Sequence, residues 1–179
     1  MKKKYLTVII FFTSILLTGC GSNVDMVKDG VMNFNKTITV GQAFDNWNNC
    51  KSSNWEEFET DNGMKIVQFT CSSKDVKEFM NIVKGFLPEN EQKEASYLDV
   101  KSDTQIFQFS INKDDTFQID NVQNETVWND GKKYSISQKP VAQIENVYKN
   151  VIMFNLKESS EAVARQYIYP YTVLRVQAK

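Results

Sequence analysis

The stretch "NWEEFETDNGMKIVQFTC", residues 54–71, sets Asn62-Gly63 between two runs of strand-like composition. Asn-Gly is the favoured centre of a two-residue type I′ turn, so the stretch predicts a β-hairpin. Counting outward from that turn pairs Phe58 with Val67, Glu56 with Phe69 and Asn54 with Cys71. Directly paired residues share a face. The predicted apolar face holds Phe58, Val67, Phe69 and Cys71, while Trp55, Glu57 and Glu59 lie on the opposite, solvent side.

Upstream, Thr39-Val40-Gly41-Gln42 predicts a capping box, in which Thr39 and Gln42 each satisfy a backbone N–H of the other. Val40, Ala43, Phe44 and Trp47 follow at i, i+3, i+4 and i+7, one face of a helix. Cys50 prolongs that face and points inward. Downstream, Ser72 and Ser73 open a second helix with Asp75 in its first turn. Val76, Phe79, Met80, Val83, Phe86 and Leu87 form its apolar stripe, and Pro88 ends it.

From Tyr97 to Ser137 the period changes to two. Phe107, Phe109 and Ile111 alternate with Gln108 and Ser110, and Phe117 and Ile119 with Gln118 and Asp120. Around Asp130-Gly131, Val127 is set to pair with Tyr134, which leaves Trp128 on the outer side. Pro140 suits the first turn of a third helix with Val141, Ile144, Val147, Tyr148 and Val151 on one stripe. The last segment predicts a short helix, a tyrosine-rich turn at Pro170 and a strand from Thr172 to Val176.

These elements predict an α+β fold, amphipathic helices on one face of an antiparallel meander sheet. "KIVQFTCS" (65–72) and "QIFQFSIN" (105–112) echo one another, each downstream of an amphipathic helix, which fits two helix-plus-hairpin units. That plan is similar to the repeated helix-and-sheet units of beta-lactamase inhibitory proteins and of small outer-membrane assembly lipoproteins, a likeness of plan carried by no shared motif.

The N-terminus supplies an address. Lys2, Lys3 and Lys4 precede an apolar run from Tyr5 to Leu17 that ends in small residues. The run is shorter than the roughly 20 residues a spanning helix needs, and it has the layout of a secretory signal. Leu17-Thr18-Gly19-Cys20 at its end resembles the lipobox of bacterial lipoproteins. The resemblance implies cleavage before Cys20, a thioether-linked diacylglycerol on its sulfur, and acylation of the new amino terminus. With Gly21 rather than aspartate after the cysteine, it also implies the periplasmic face of the outer membrane if the host has two membranes. The expected organisation is a signal peptide at 1–19, a lipidated N-terminus and linker at 20–35, and a single α+β domain at 36–179.

Composition narrows the chemistry. Three of the 21 basic residues lie in the leader, leaving 18 against 22 acidic ones in the mature chain, a net charge of −4. That balance argues against nucleic acid as a partner. The chain has no histidine, which removes histidine-based acid–base and nucleophile systems and the usual zinc sites. Asp114-Asp115 lacks EF-hand spacing, no serine stands in a G-x-S-x-G setting, and no glycine loop suits phosphate. No catalytic residue, metal or cofactor is expected. Cys50 and Cys71, aimed at one core in an exported protein, are expected to form a disulfide.

Trp55 and Trp128, both placed on outer faces, are the candidate partner-binding residues, and Tyr167, Tyr169 and Tyr171 form a further aromatic cluster. The expected function is a non-catalytic, lipid-anchored module that binds or assembles another envelope protein. The alternative is a carrier or sensor of a small apolar ligand held between helices and sheet.

Overall fold

The computed structural model describes residues 22–179. The expected signal peptide and the anchor Cys20 lie outside the described residues. The chain runs through α1 (Asn23–Asp29), α2 (Val40–Asp45), β1 (Cys50–Glu59), β2 (Lys65–Ser73), α3 (Val76–Gly85), α4 (Glu89–Gln92), β3 (Val100–Ile111), β4 (Phe117–Trp128), β5 (Lys133–Ser137), α5 (Pro140–Tyr148) and α6 (Glu161–Gln177). The strands form one antiparallel sheet in the order β1-β2-β3-β4-β5. The fold is α+β, with the helices packed against that meander.

The three hairpin turns set the register, and all three are one residue longer than the tightest type. In the first, Gly63 N donates to Thr60 O (2.8 Å) and Thr60 N to Met64 O (2.9 Å). The same pair of bonds joins Asn112, Asp115 and Thr116, and again Trp128, Gly131 and Lys132. Each loop ends in a left-handed residue: Gly63 at φ 77°, Asp115 at φ 58° and Gly131 at φ 86°. This is the three-residue loop, a type I turn closed by a left-handed position, instead of the two-residue type I′ turn.

A one-residue slip sends every side chain to the other face. Trp55 therefore pairs with Phe69, Glu57 with Val67 and Ser53 with Cys71, while Phe58 pairs with Ile66 and is exposed. In the last hairpin Thr126 pairs with Tyr134 and Val127 with Lys133, so Trp128 turns inward and is buried. The predicted registers of both hairpins are corrected by the same extra loop residue.

One face of the sheet is covered in two places. Under α1, α2 and α5, the residues Val27, Phe44, Trp47, Val67, Phe69, Phe107, Phe109 and Ile144 form a core with seven rings in edge or tilted contact with neighbours. Under α3 and α6, a second core joins Val76, Phe79, Met80, Val83, Leu98, Val100, Trp128, Phe154 and Tyr171. The opposite face carries a polar ladder across four strands. Asn121 donates to Gln108 (3.1 Å), Gln108 to Gln68 (2.7 Å) and Gln68 to Glu56 (2.7 Å).

The capping box of Thr39 and Gln42 is present, with bonds of 2.9 and 3.1 Å. The helix it starts stops at Asp45, and Cys50 opens β1 instead of prolonging the helical stripe. Cys50 and Cys71 are nonetheless bridged, their Cα atoms 5.2 Å apart.

Two expected boundaries move. From Ser22 onward the expected linker belongs to the domain: α1 has its own capping box, and Val27 is fully buried against α2 and the sheet. The expected C-terminal strand at Thr172–Val176 is helical, because α6 continues through Pro170. Proline removes one N–H and crowds the preceding turn. Ala164, Tyr167, Tyr171 and Leu174 outweigh that cost by laying one stripe into the second core.

Candidate functional site

Between the two cores the covered face turns polar. Along β3 the inward positions run Phe109, Phe107, Gln105, Asp103, and along β4 they run Val122, Asn124, Thr126, Trp128. Asp103 is 1% exposed and Gln105 is fully buried. Asp103 Oδ1 accepts from Ser73 Oγ (2.9 Å) and Gln105 Nε2 (3.3 Å), and its Oδ2 from Asn124 Nδ2 (2.8 Å) and Thr126 Oγ1 (3.2 Å). Asn49 extends the belt, donating to Ser73 Oγ (3.4 Å) and accepting from Met153 N (2.9 Å).

Electrostatics follow from that burial. Desolvation pushes the Asp103 carboxyl above the usual carboxylate range, against the pull of its four hydrogen-bond donors. Burial, reinforced by the Asp103 charge, also holds the Tyr171 phenol well above its ordinary value and raises Tyr167.

The belt forms part of the floor of a cleft. Asp103 and Asn124, with Phe154, Tyr167, Pro170 and Tyr171, help to line a cavity of about 500 Å³ between α6 and the sheet. Ile136, Tyr169 and Val173, at its rim, are exposed, Tyr169 by 75%. Tyr167 is held in place by a hydrogen bond from its hydroxyl to Met153 O. A larger hollow of about 740 Å³ lies beyond the end of α1, but Asn33, Asn112, Asp115 and Thr116 occupy much of its wall and no buried polar group converges on it.

The tryptophans are placed otherwise than expected. Trp128 is 1% exposed, and its indole N–H donates to Tyr97 O (2.9 Å). Arg175, paired with Asp130, covers its ring at 5.5 Å. Trp55 packs on Phe69 and Phe44, donates to Asp45 (2.8 Å), and lies under Lys28, which is itself paired with Asp45. Neither ring offers the free outer surface that a partner-binding role assumed. Tyr169 does offer one, and Tyr167 and Tyr171 of the same cluster are wall residues of the cleft.

Asp103 and Asn124 were not singled out from the sequence, although the alternation that places Phe107 and Phe109 inward runs back to Gln105 and Asp103. Polar residues at positions the period assigns to a core are the signal that could have found them. Among the described residues no group of three or more His, Cys, Asp or Glu is arranged to hold a metal ion. No helix among them is long and apolar enough to cross a membrane. No protein-family model, curated protein or solved structure matches the chain.

Proposed function

We propose that this is a lipid-anchored protein of the cell envelope that binds a small, largely apolar molecule in the cleft between α6 and the sheet. The observation that carries it is the cleft itself: about 500 Å³ with mostly apolar and aromatic walls and a few polar groups on its floor. Small-molecule sites have that size and that make-up. The proposed role is binding without chemistry, as a carrier or a sensor, and the anchor is Cys20, on the periplasmic face of the outer membrane in a host with two membranes.

Native mass spectrometry of the protein released from envelopes tests the cleft. A co-purified small molecule that is lost on Val173→Trp, which fills the cavity mouth, is the expected result. An unliganded wild-type protein that also takes up no apolar probe would sink the reading. The anchor is tested separately: Cys20→Ser should abolish labelling by a radioactive fatty acid, because serine cannot form the thioether.

A second reading, a docking module for another envelope protein, is supported by β1. This is an edge strand whose residues are almost all exposed, and an edge of that kind can accept an added strand. A stoichiometric protein partner in detergent-solubilised envelopes, with no small molecule bound, would favour it.

A further inference from the structure

Asp103 is a buried carboxylate whose partners are all neutral. Ionised groups inside proteins are ordinarily paired with an opposite charge or a metal. The six ion pairs among the described residues all lie elsewhere, and none includes Asp103. Ser73, Gln105, Asn124 and Thr126 satisfy its lone pairs but leave its charge uncompensated.

Beside that charge and its four donors, two acceptors are left without a partner. Gln138 Oε1, on a residue that lines the same cleft, is buried without a hydrogen-bond partner, and so is Gln105 Oε1 in the belt. Phe154, Tyr167 and Tyr171 wall the cleft, and aromatic rings attract cations through their electron-rich faces. A hard metal ion would require several oxygen ligands, whereas one carboxylate among aromatic walls suits a softer cation with an apolar body.

Resting on the cleft reading above, we propose that the ligand is an organic ammonium ion, its apolar part against Phe154, Tyr167 and Tyr171 and its charged head directed at Asp103 and Gln138. An ammonium N–H would supply the donor that Gln138 Oε1 lacks, and the charge would supply the counterion that Asp103 lacks.

The test is a matched pair of probes, phenethylamine and phenethyl alcohol, titrated into the mature lipidated protein in nanodiscs and followed by the side-chain amide signals of Asn124 and Gln138. The wild-type protein should bind the amine at least about tenfold more tightly than the alcohol, which corresponds to about 1.4 kcal/mol. Asp103→Asn should bring that ratio close to one, mainly by weakening the amine. Equal affinities in the wild type would overturn the ammonium assignment and leave the cleft reading standing. Binding of neither probe would overturn both. A preference for the amine that survives Asp103→Asn would remove Asp103 from the site. Should that variant fail to fold, the wild-type ratio still decides the charge preference. Gln138→Leu, at a half-buried position, should then reduce the ratio, and an unchanged ratio would count against the proposed seat.

Discussion

The two ends of the covered sheet face are built from the same elements to different ends. Under α1, α2 and α5, Phe44 sits among Phe69, Phe107, Phe109 and Trp55 at ring separations of 4.9 to 5.7 Å, and the Cys50–Cys71 bridge ties β1 to β2 beside them. Under α3 and α6 the core borders a buried carboxylate, a proline sits inside the covering helix, and a cavity remains. Each end even covers a tryptophan with a cation paired to an aspartate, Lys28–Asp45 over Trp55 and Arg175–Asp130 over Trp128. The first end is dense and apolar. The second tolerates features that cost stability, and such features are expected where a site has to stay open and polar.

The comparison breaks first at Phe44. Truncation of a buried phenylalanine removes its transfer energy and leaves a cavity, about 3–5 kcal/mol in well-packed cores. Phe44→Ala should lose that much in urea denaturation. A loss under about 1 kcal/mol would mean that the aromatic end is not the stability centre.

The bridge comes next. It closes a loop with a sequence separation of 21, which chain entropy values at about 3 kcal/mol. The double variant Cys50→Ala, Cys71→Ala should be less stable by about that amount under oxidising conditions. Under reducing conditions, variant and wild type should converge. A persistent gap there would show that the cysteines matter through packing and not through the bond.

Pro170 sharpens the contrast from the other side. Inside a helix, proline costs up to about 3 kcal/mol relative to alanine. Pro170→Ala should therefore stabilise the protein, by about 1–3 kcal/mol, where most changes in the aromatic end destabilise it. A destabilised variant would show that the proline ring is needed by the packing of the cleft wall.

The same contrast marks what the sequence could disclose. The capping box at Thr39, the apolar stripe of α3 from Val76 to Val83 and the strands β3 and β4 follow from local rules, and the structure shows them. Phe86, expected on that stripe, lies past the helix end and is exposed. Registers depended on one loop residue apiece, and Asn62-Gly63 and Asp130-Gly131 serve a three-residue loop as readily as a two-residue one. The error flipped Trp55 and Trp128 together. Helix α6 was hidden because Pro170 and three tyrosines suggest a turn locally, while the packing that overrides them comes from Phe154 and from α3, the latter distant in sequence. The polar belt is hidden for a related reason: Asp103, Gln105, Asn124 and Thr126 look like surface residues by type, and only the unbroken alternation from Phe107 on β3 and from Val122 on β4 turns them inward.

The smallest effect is the most diagnostic of the second end, because it reports the buried charge directly. Asp103 holds its proton more tightly in the fold than in the unfolded chain, since burial disfavours the carboxylate. Its contribution to stability is therefore fully present below the unfolded pKa and is lost as pH rises through the folded one. Asp25, Asp114 and Asp130 are shifted downward and act in the opposite sense, so the net profile mixes signs. Subtraction separates them. The groups on α6 that face Asp103, Tyr167 and Tyr171, are raised phenols that stay protonated throughout the acidic range. Asp103→Asn keeps the size of the side chain, and an amide flip of Gln105 would bring its unpartnered Oε1 to accept from the new amide. The stability of wild type relative to this variant should fall as pH rises from the acidic side, with a slope no steeper than about 1.4 kcal/mol per pH unit for one proton. A difference that is flat with pH would mean that Asp103 titrates alike folded and unfolded. A difference that rises would mean that a cation already sits beside it.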